Sequence, residues 1–280
     1  MIGDVVDSDG ISTAIGIDMA TSNFSRVIGP LGAGAFLATI GVQAAYFSGA
    51  ILFGMGAILA FSMPYVVSPL QGTGASSGYF ANLSAGLRHV RADRIIFVTI
   101  IITMVMNLFG FPYQHMVPVI GAETLEVGPL LVGILLATEG LGATIGSLMI
   151  ALKARPSGYT RVYTIGSIGF LTAILLFSLS PSFWMALPIM VIGGFSMSGF
   201  ATMQSIIVIT SAPIEIRGRV LGVLAAAIGT GPFGALIVGS LAVIWGANNA
   251  VTAIAVTGLM LTTLTLMIWP AFLRNVGNSD

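Results

Sequence analysis

Residues 211–220 read SAPIEIRGRV, a polar interruption between two long apolar runs. Glu215 precedes Arg217 and Arg219, and Gly218 between them permits a tight backbone turn. The runs on either side each reach the roughly 20 apolar residues that a helix needs to cross a bilayer. This stretch is a compact charged loop between two apolar runs, so it orders the other loops by the side of a membrane on which they fall.

Working outward, the same ruler marks eight apolar segments, at about 19–38, 41–64, 95–119, 127–152, 161–180, 183–210, 219–243 and 247–272. The runs are continuous rather than alternating, which points to helices and not to barrel strands. Composition agrees: 56% of the 280 residues are hydrophobic and 7% are charged. Soluble domains carry about 25% charged residues, so the expectation is an all-α, polytopic transmembrane bundle of eight helices. Net charge is zero, without the basic excess of a nucleic-acid binder. The first ten residues hold Asp4, Asp7 and Asp9 and no Lys or Arg, unlike the start of a secretory signal.

The ten basic residues support the count. Arg88, Arg91 and Arg94 fall between segments two and three, and Lys153, Arg155 and Arg161 between four and five. Arg217 and Arg219 fall between six and seven, Arg274 follows segment eight, and Arg26 lies in the first turns of segment one. The alternate connections, near Gly41, 120–127, 181–182 and 245–248, contain no Lys or Arg. The positive-inside rule then puts both termini and the arginine loops in the cytoplasm.

Segments one and two are joined by a tight turn at Thr39–Gly41. A Gly/Ser linker, SPLQGTGASSG, follows and leads into ANLSAGLRHVRAD. There Leu83, Leu87 and Val90 can share a helical face while Arg88 and Arg91 point elsewhere, the pattern of a helix lying on a membrane surface. The expected divisions are 1–66, two helices of one unit; 67–93, the linker; and 94–280, a six-helix unit. Gly29-Pro30 in segment one echoes Gly231-Pro232 in segment seven, and each is followed by a glycine at the helix end, Gly41 or Gly246. Segments one–two and seven–eight therefore read as equivalent hairpins of repeated units.

Several stretches resemble the major facilitator superfamily, in its exporter branch for drugs, siderophores and other small molecules. They are NFSRVIGPLGAG (Asn23–Gly34), GLRHVR (Gly86–Arg91), LVGILLATEGLGATIGSL (Leu131–Leu148) and SAPIEIRGRVLG (Ser211–Gly222). The resemblance covers essentially the whole chain and aligns it with helices five to twelve of a twelve-helix transporter. It implies proton-coupled transport of a small molecule across the cell membrane. It equally implies a second reading, a truncated transporter or partial gene model without independent activity. No cofactor and no metal is expected. A membrane enzyme is disfavoured because neither HExxH nor GxSxG occurs.

The polar groups inside the segments are the candidate site residues. Glu139, in LLATEGLGA, sits near the middle of segment four. A carboxylate there costs roughly 2.5–3.5 kcal/mol, so it should face the bundle interior. It reads as a proton-coupling or substrate-cation site, or as a structural carboxylate paired with a neighbouring helix. Arg26 reads as a cytoplasmic gate or an anionic-substrate contact, or else as a residue that snorkels to the interface or pairs with Asp18 or with an acid on a helix outside this chain. Asn107 and Gln204 lie within spans and Gln114 nearer the outer end, as substrate contacts or as interhelical hydrogen bonders. The resemblance implies that segments three and six line the cavity, while five and eight face lipid. Gly29-Pro30 and Gly231-Pro232 are expected to kink their helices. Arg217 and Arg219 form a gate latch or simply set topology. Gly142 and Gly146 have the spacing for close helix packing. His115 reads as a wet interfacial residue.

Overall fold

The computed structural model describes residues 11–62, 79–153 and 155–273. The Gly/Ser stretch before residue 79, the side chain of Asp18 and Arg274 lie outside the described residues. The described elements are helical in order: α1 (Ile11–Thr39), α2 (Gly41–Ser62), α3 (Tyr79–Ala92), α4 (Arg94–Val105), α5 (Val117–Glu123), α6 (Pro129–Lys153), α7 (Tyr159–Ser178), α8 (Phe183–Ser211), α9 (Arg217–Ile228), α10 (Gly231–Trp245) and α11 (Ala247–Ile268).

Seven spans among the described residues are long and apolar enough to cross a membrane, one fewer than the sequence suggested. The difference is α1. It is long enough, but Asp18, Arg26 and the polar run Thr21–Ser22–Asn23 dilute its apolar character. It nevertheless packs along α6. The segment expected at 219–243 is two helices, α9 and α10, meeting at Gly229–Thr230.

The two Gly-Pro pairs behave differently. Pro30 lies inside continuous α1, whereas Pro232 opens α10, where a missing N–H costs nothing because the first turn has no partner for it. The second pair thus marks a helix break instead of a kink. The hairpin glycines do match: Gly41 has φ +79° and Gly246 φ +80°, a region other residues avoid. Gly218 makes no tight turn. The chain turns at Pro213, whose carbonyl accepts from the N–H groups of Ile216 and Arg217, and Gly218 falls in the first turn of α9.

The helix from Arg94 is capped by Asp93, whose Oδ1 accepts from the backbone of Ile95 at 2.8 Å and Ile96 at 3.0 Å. It then loses regularity. Met106–Gly110 forms a π turn and Phe111–His115 a 3-10 turn. Pro112 supplies the reason, because it has no N–H for the carbonyl of Leu108 and its ring crowds that position. The freed backbone meets Gly234 of α10: a Cβ at Gly234 would stand 2.5 Å from the Leu108 carbonyl oxygen.

The core lies among α4, α6, α7, α8 and α11, filled by Tyr113, Tyr163, Phe170, Phe177 and Phe200. A second, smaller cluster joins Val90 of α3 to Val208, Val220 and Leu224. Among the α3 residues whose side chains are described, Gly86 and Val90 face α9, while Leu87, expected on that face, stays exposed; the side chain of Leu83, expected there too, lies outside the described residues. Segments five and eight, expected to face lipid, each have two faces. On α7, Ile165 and Leu176 are exposed while Tyr163, Phe170 and Phe177 are buried.

At the end opposite α3, Thr124 donates to Asn248 Oδ1 at 2.6 Å and Asn248 Nδ2 donates to the Ser178 carbonyl at 3.0 Å. These bonds tie the connection after α5 to the end of α7 and the start of α11. They place those chain ends together.

Candidate functional site

Glycines position α6 against two neighbours at once. At roughly 100° per residue, Gly133 and Gly140 share one face and Gly142 and Gly146 another. Gly133 and Gly140 meet α1: a Cβ at Gly133 would stand 2.5 Å from the Pro30 oxygen, and one at Gly140 2.7 Å from the Arg26 oxygen. Pro30 cannot donate to the Arg26 carbonyl four residues back, so that carbonyl is free to lie against Gly140. On the other face, Gly142 meets the carbonyl of Val191 and Gly146 meets Phe195 and Ser198 of α8. Gly194 of α8 lies against the backbone of Glu139.

Glu139 falls between these two contact faces, so its side chain is directed inward and is 5% exposed. Gln114 Nε2 donates to Glu139 Oε1 at 3.2 Å. The carboxyl borders a cavity of about 450 Å³, whose wall also includes Arg26 and Pro30 of α1, Phe111 and Gln114 of the irregular helix, and Met197 and Ala201 of α8. Phe111 is held between Phe170 and Phe200, at ring-centre distances of 5.3 and 5.7 Å. The result is a mixed pocket in which a carboxyl, an amide and a guanidinium face an aromatic ring and a thioether. A larger apolar cavity of about 630 Å³ adjoins it, lined in part by Leu37, Val42 and Tyr46, and the two share Pro30 and Leu136.

Four of the residues singled out from sequence therefore meet on one cavity: Arg26, Pro30, Gln114 and Glu139. Asn107 and Gln204 lie in a separate hydrogen-bonded cluster. Asn107 Nδ2 donates to the Thr103 carbonyl at 2.8 Å, and Thr103 Oγ1 donates to Gln204 Oε1 at 3.4 Å. Tyr163 joins them, donating to the Thr99 carbonyl at 2.8 Å and pairing with Thr103 Oγ1 at 2.9 Å. Arg217 donates to the Ala212 carbonyl at 3.4 Å and Arg219 is exposed, and neither lines the cavity. His115 is exposed at the end of the irregular helix. Sequence reasoning missed Phe111, Met197 and Tyr163. Pro112 beside Phe111 and the lone tyrosine within segment five are the signals that could have found two of them. Among the described residues no cluster of His, Cys, Asp and Glu could hold a metal ion.

Comparison with known proteins gives a concordant picture. A family model described as transmembrane secretion effector matches residues 1–276. The multidrug efflux pump Tap of Mycolicibacterium fortuitum is 26% identical over 262 residues, covering 89% of this chain and 61% of Tap. The uncharacterized MFS-type transporter YvqJ of Bacillus subtilis (strain 168) is 24% identical over 172 residues, covering 60% of this chain and 40% of YvqJ. The chain thus spans less than two thirds of the length of either relative.

Proposed function

Because the chain belongs to the transmembrane secretion effector family of major facilitator transporters, we propose that it takes part in proton-coupled export of a small molecule across the cell membrane. The observation that carries this reading is the meeting of Arg26, Gln114 and Glu139 on one cavity inside the bundle. Tap's description as a multidrug efflux pump supports export as the direction.

Glu139 is the group that takes up and gives up the proton. Gln114 can bond either state of it, as donor to the carboxylate through Nε2 or as acceptor from the acid through Oε1. Arg26 is the fixed positive charge on the same cavity wall. Phe111 and Met197 supply the apolar surface for the substrate. Gln204, with Thr103 and Tyr163, holds α4, α7 and α8 in register, and Asn107 braces its own helix beside them, so this cluster shapes the cavity from behind. Gly29-Pro30 and the break at Gly231-Pro232 are where helices adjust as access alternates, and Arg217 and Arg219 latch the cytoplasmic face. Residues 1–66 and 94–280 are the two moving units, joined by 67–93, with both termini in the cytoplasm.

A second reading is that the chain transports only together with further protein. It is favoured by α2, none of whose residues is buried. The test is dye-driven proton movement in inverted membrane vesicles, using fluorescent efflux dyes and a pH-sensitive probe. The parent chain and Glu139→Asp should move protons when dye is added, and Glu139→Gln should not. Unchanged movement in Glu139→Gln would remove the carboxyl from coupling. A parent chain that is inert until a partner helical unit is co-expressed would select the second reading.

A further inference from the structure

A third cavity, of about 270 Å³, opens between α6, α7 and α8, away from the one that holds Glu139. Its floor is made by residues with little or no side chain: Gly146 of α6, Gly166 of α7 and Gly199 of α8. Each glycine is also required by the packing. A Cβ at Gly166 would stand 2.7 Å from the backbone of Phe200, and one at Gly199 3.1 Å from the Val162 oxygen. The groove is therefore a fixed consequence of close helix approach. Its rim is apolar, with Ile165 71% and Met149 41% exposed.

The groove is not uniformly apolar. Lys153, the last residue of α6, lines it. From Gly146 to Lys153 the helix rises about 10 Å, so an ammonium group stands at one end of an apolar trough roughly 10 Å long. Among the described residues no hydrogen bond or ion pair engages Lys153, and the exposed Arg155 lies at the same end. An apolar trough, with a cation at one end that has no partner among the described residues, is complementary to an amphiphile with an apolar tail and an anionic head.

We propose that the groove between α6, α7 and α8 is a binding site for one anionic phospholipid, with an acyl chain on Gly146, Gly166 and Gly199 and the headgroup phosphate on Lys153. The close helix approach that the glycines permit fixes the shape of the trough, and Lys153 selects the head. The site is independent of the proton pathway, since no residue lines both cavities.

The test is native mass spectrometry of the delipidated full chain titrated with phosphatidylglycerol or phosphatidylcholine. The parent should keep one phosphatidylglycerol in preference to phosphatidylcholine. Lys153→Gln should lower that preference about fivefold, the factor one basic residue near an anionic headgroup carries. Lys153→Arg should preserve it. Ile165→Trp, at an exposed rim position, should reduce retention of both lipids by filling the trough. Unaltered circular dichroism would certify each variant as folded. Three results would overturn the proposal: equal selectivity in Lys153→Gln and parent, an equal loss on Arg91→Gln, which would mean diffuse attraction to basic residues, or displacement of the lipid by millimolar inorganic phosphate.

Discussion

Helices α2 and α8 are both long, apolar and rich in glycine, yet one is bare and the other enclosed. In α2, Gly49, Gly54 and Gly56 have nothing within 4 Å of where a Cβ would sit, and Phe53 and Phe61 are 85% and 91% exposed. In α8, Gly194 and Gly199 lie against the backbones of α6 and α7, and Met190, Phe200 and Met203 are buried. Apolar composition alone therefore says that a helix suits a bilayer. It does not say what the helix touches. Between helices already in lipid, association comes from packing, so the register of small residues decides the partners.

Gly194→Leu should break the enclosed side most severely. The new side chain would run into the backbone carbonyl of Glu139, which cannot move without displacing α6. Overpacking costs typically about 1–3 kcal/mol, and a fixed backbone obstacle belongs at the upper end. Fluorescence-detected size-exclusion chromatography after heating should show a large loss of monodisperse protein. Unchanged thermal behaviour would mean that α6 and α8 are not in close contact.

Gly140→Leu tests the weaker, single-sided contact of α1. It should push α1 off α6 at the Arg26 carbonyl and open the cavity wall while the core of α4, α7, α8 and α11 stays intact. The expected readout is a severalfold faster reaction of Glu139 with a water-soluble carbodiimide, with a smaller thermal loss than for Gly194→Leu. If Glu139 reacts at the parent rate, α1 does not wall the cavity.

Most of the fold was legible because hydrophobic length and the placement of arginines are one-dimensional signals. Segment ends fell within a few residues for 41–64, 127–152 and 183–210, which became Gly41–Ser62, Pro129–Lys153 and Phe183–Ser211. The site was legible in part for a similar reason. A carboxyl in the middle of an apolar run announces itself, and so do Arg26 and Gln114. What could not be read was which polar groups would meet. Asn107 and Gln204 look as suited to a cavity as Gln114 does, but the π turn at Met106–Gly110 sets which side chains of that helix reach it. The turn depends on Pro112 and on the close approach of α10 at Gly234, a contact far away in sequence. Tyr163 was passed over because a tyrosine in a span signals an interface as readily as a buried hydroxyl.

Tyr163→Phe should have a modest effect. It removes a donor to the Thr99 carbonyl and a partner of Thr103, while Thr103 keeps Gln204. Interhelical hydrogen bonds in membranes average about 0.6 kcal/mol, so thermal stability should fall only slightly. A double-mutant cycle with Gln204→Leu should give a coupling of that size, and zero coupling would mean that the cluster does not act as a unit.

Gly54→Ala on α2 should have the smallest effect, and it probes most sharply the difference between bare α2 and enclosed α8. With open space around the site, only helix propensity acts, and alanine favours a helix over glycine by up to about 1 kcal/mol. The expected outcome is an unchanged or slightly higher thermal midpoint in detergent-purified protein. A fall approaching that of Gly194→Leu would require a Cβ at residue 54 to meet something, and within the described chain nothing lies near it. The bare face of α2 would then be covered in solution, and cross-linking at Phe53 would identify whether a second copy or another protein covers it. The same substitution that tests an open glycine thus separates a helix bathed in lipid from one whose partner lies outside the described residues.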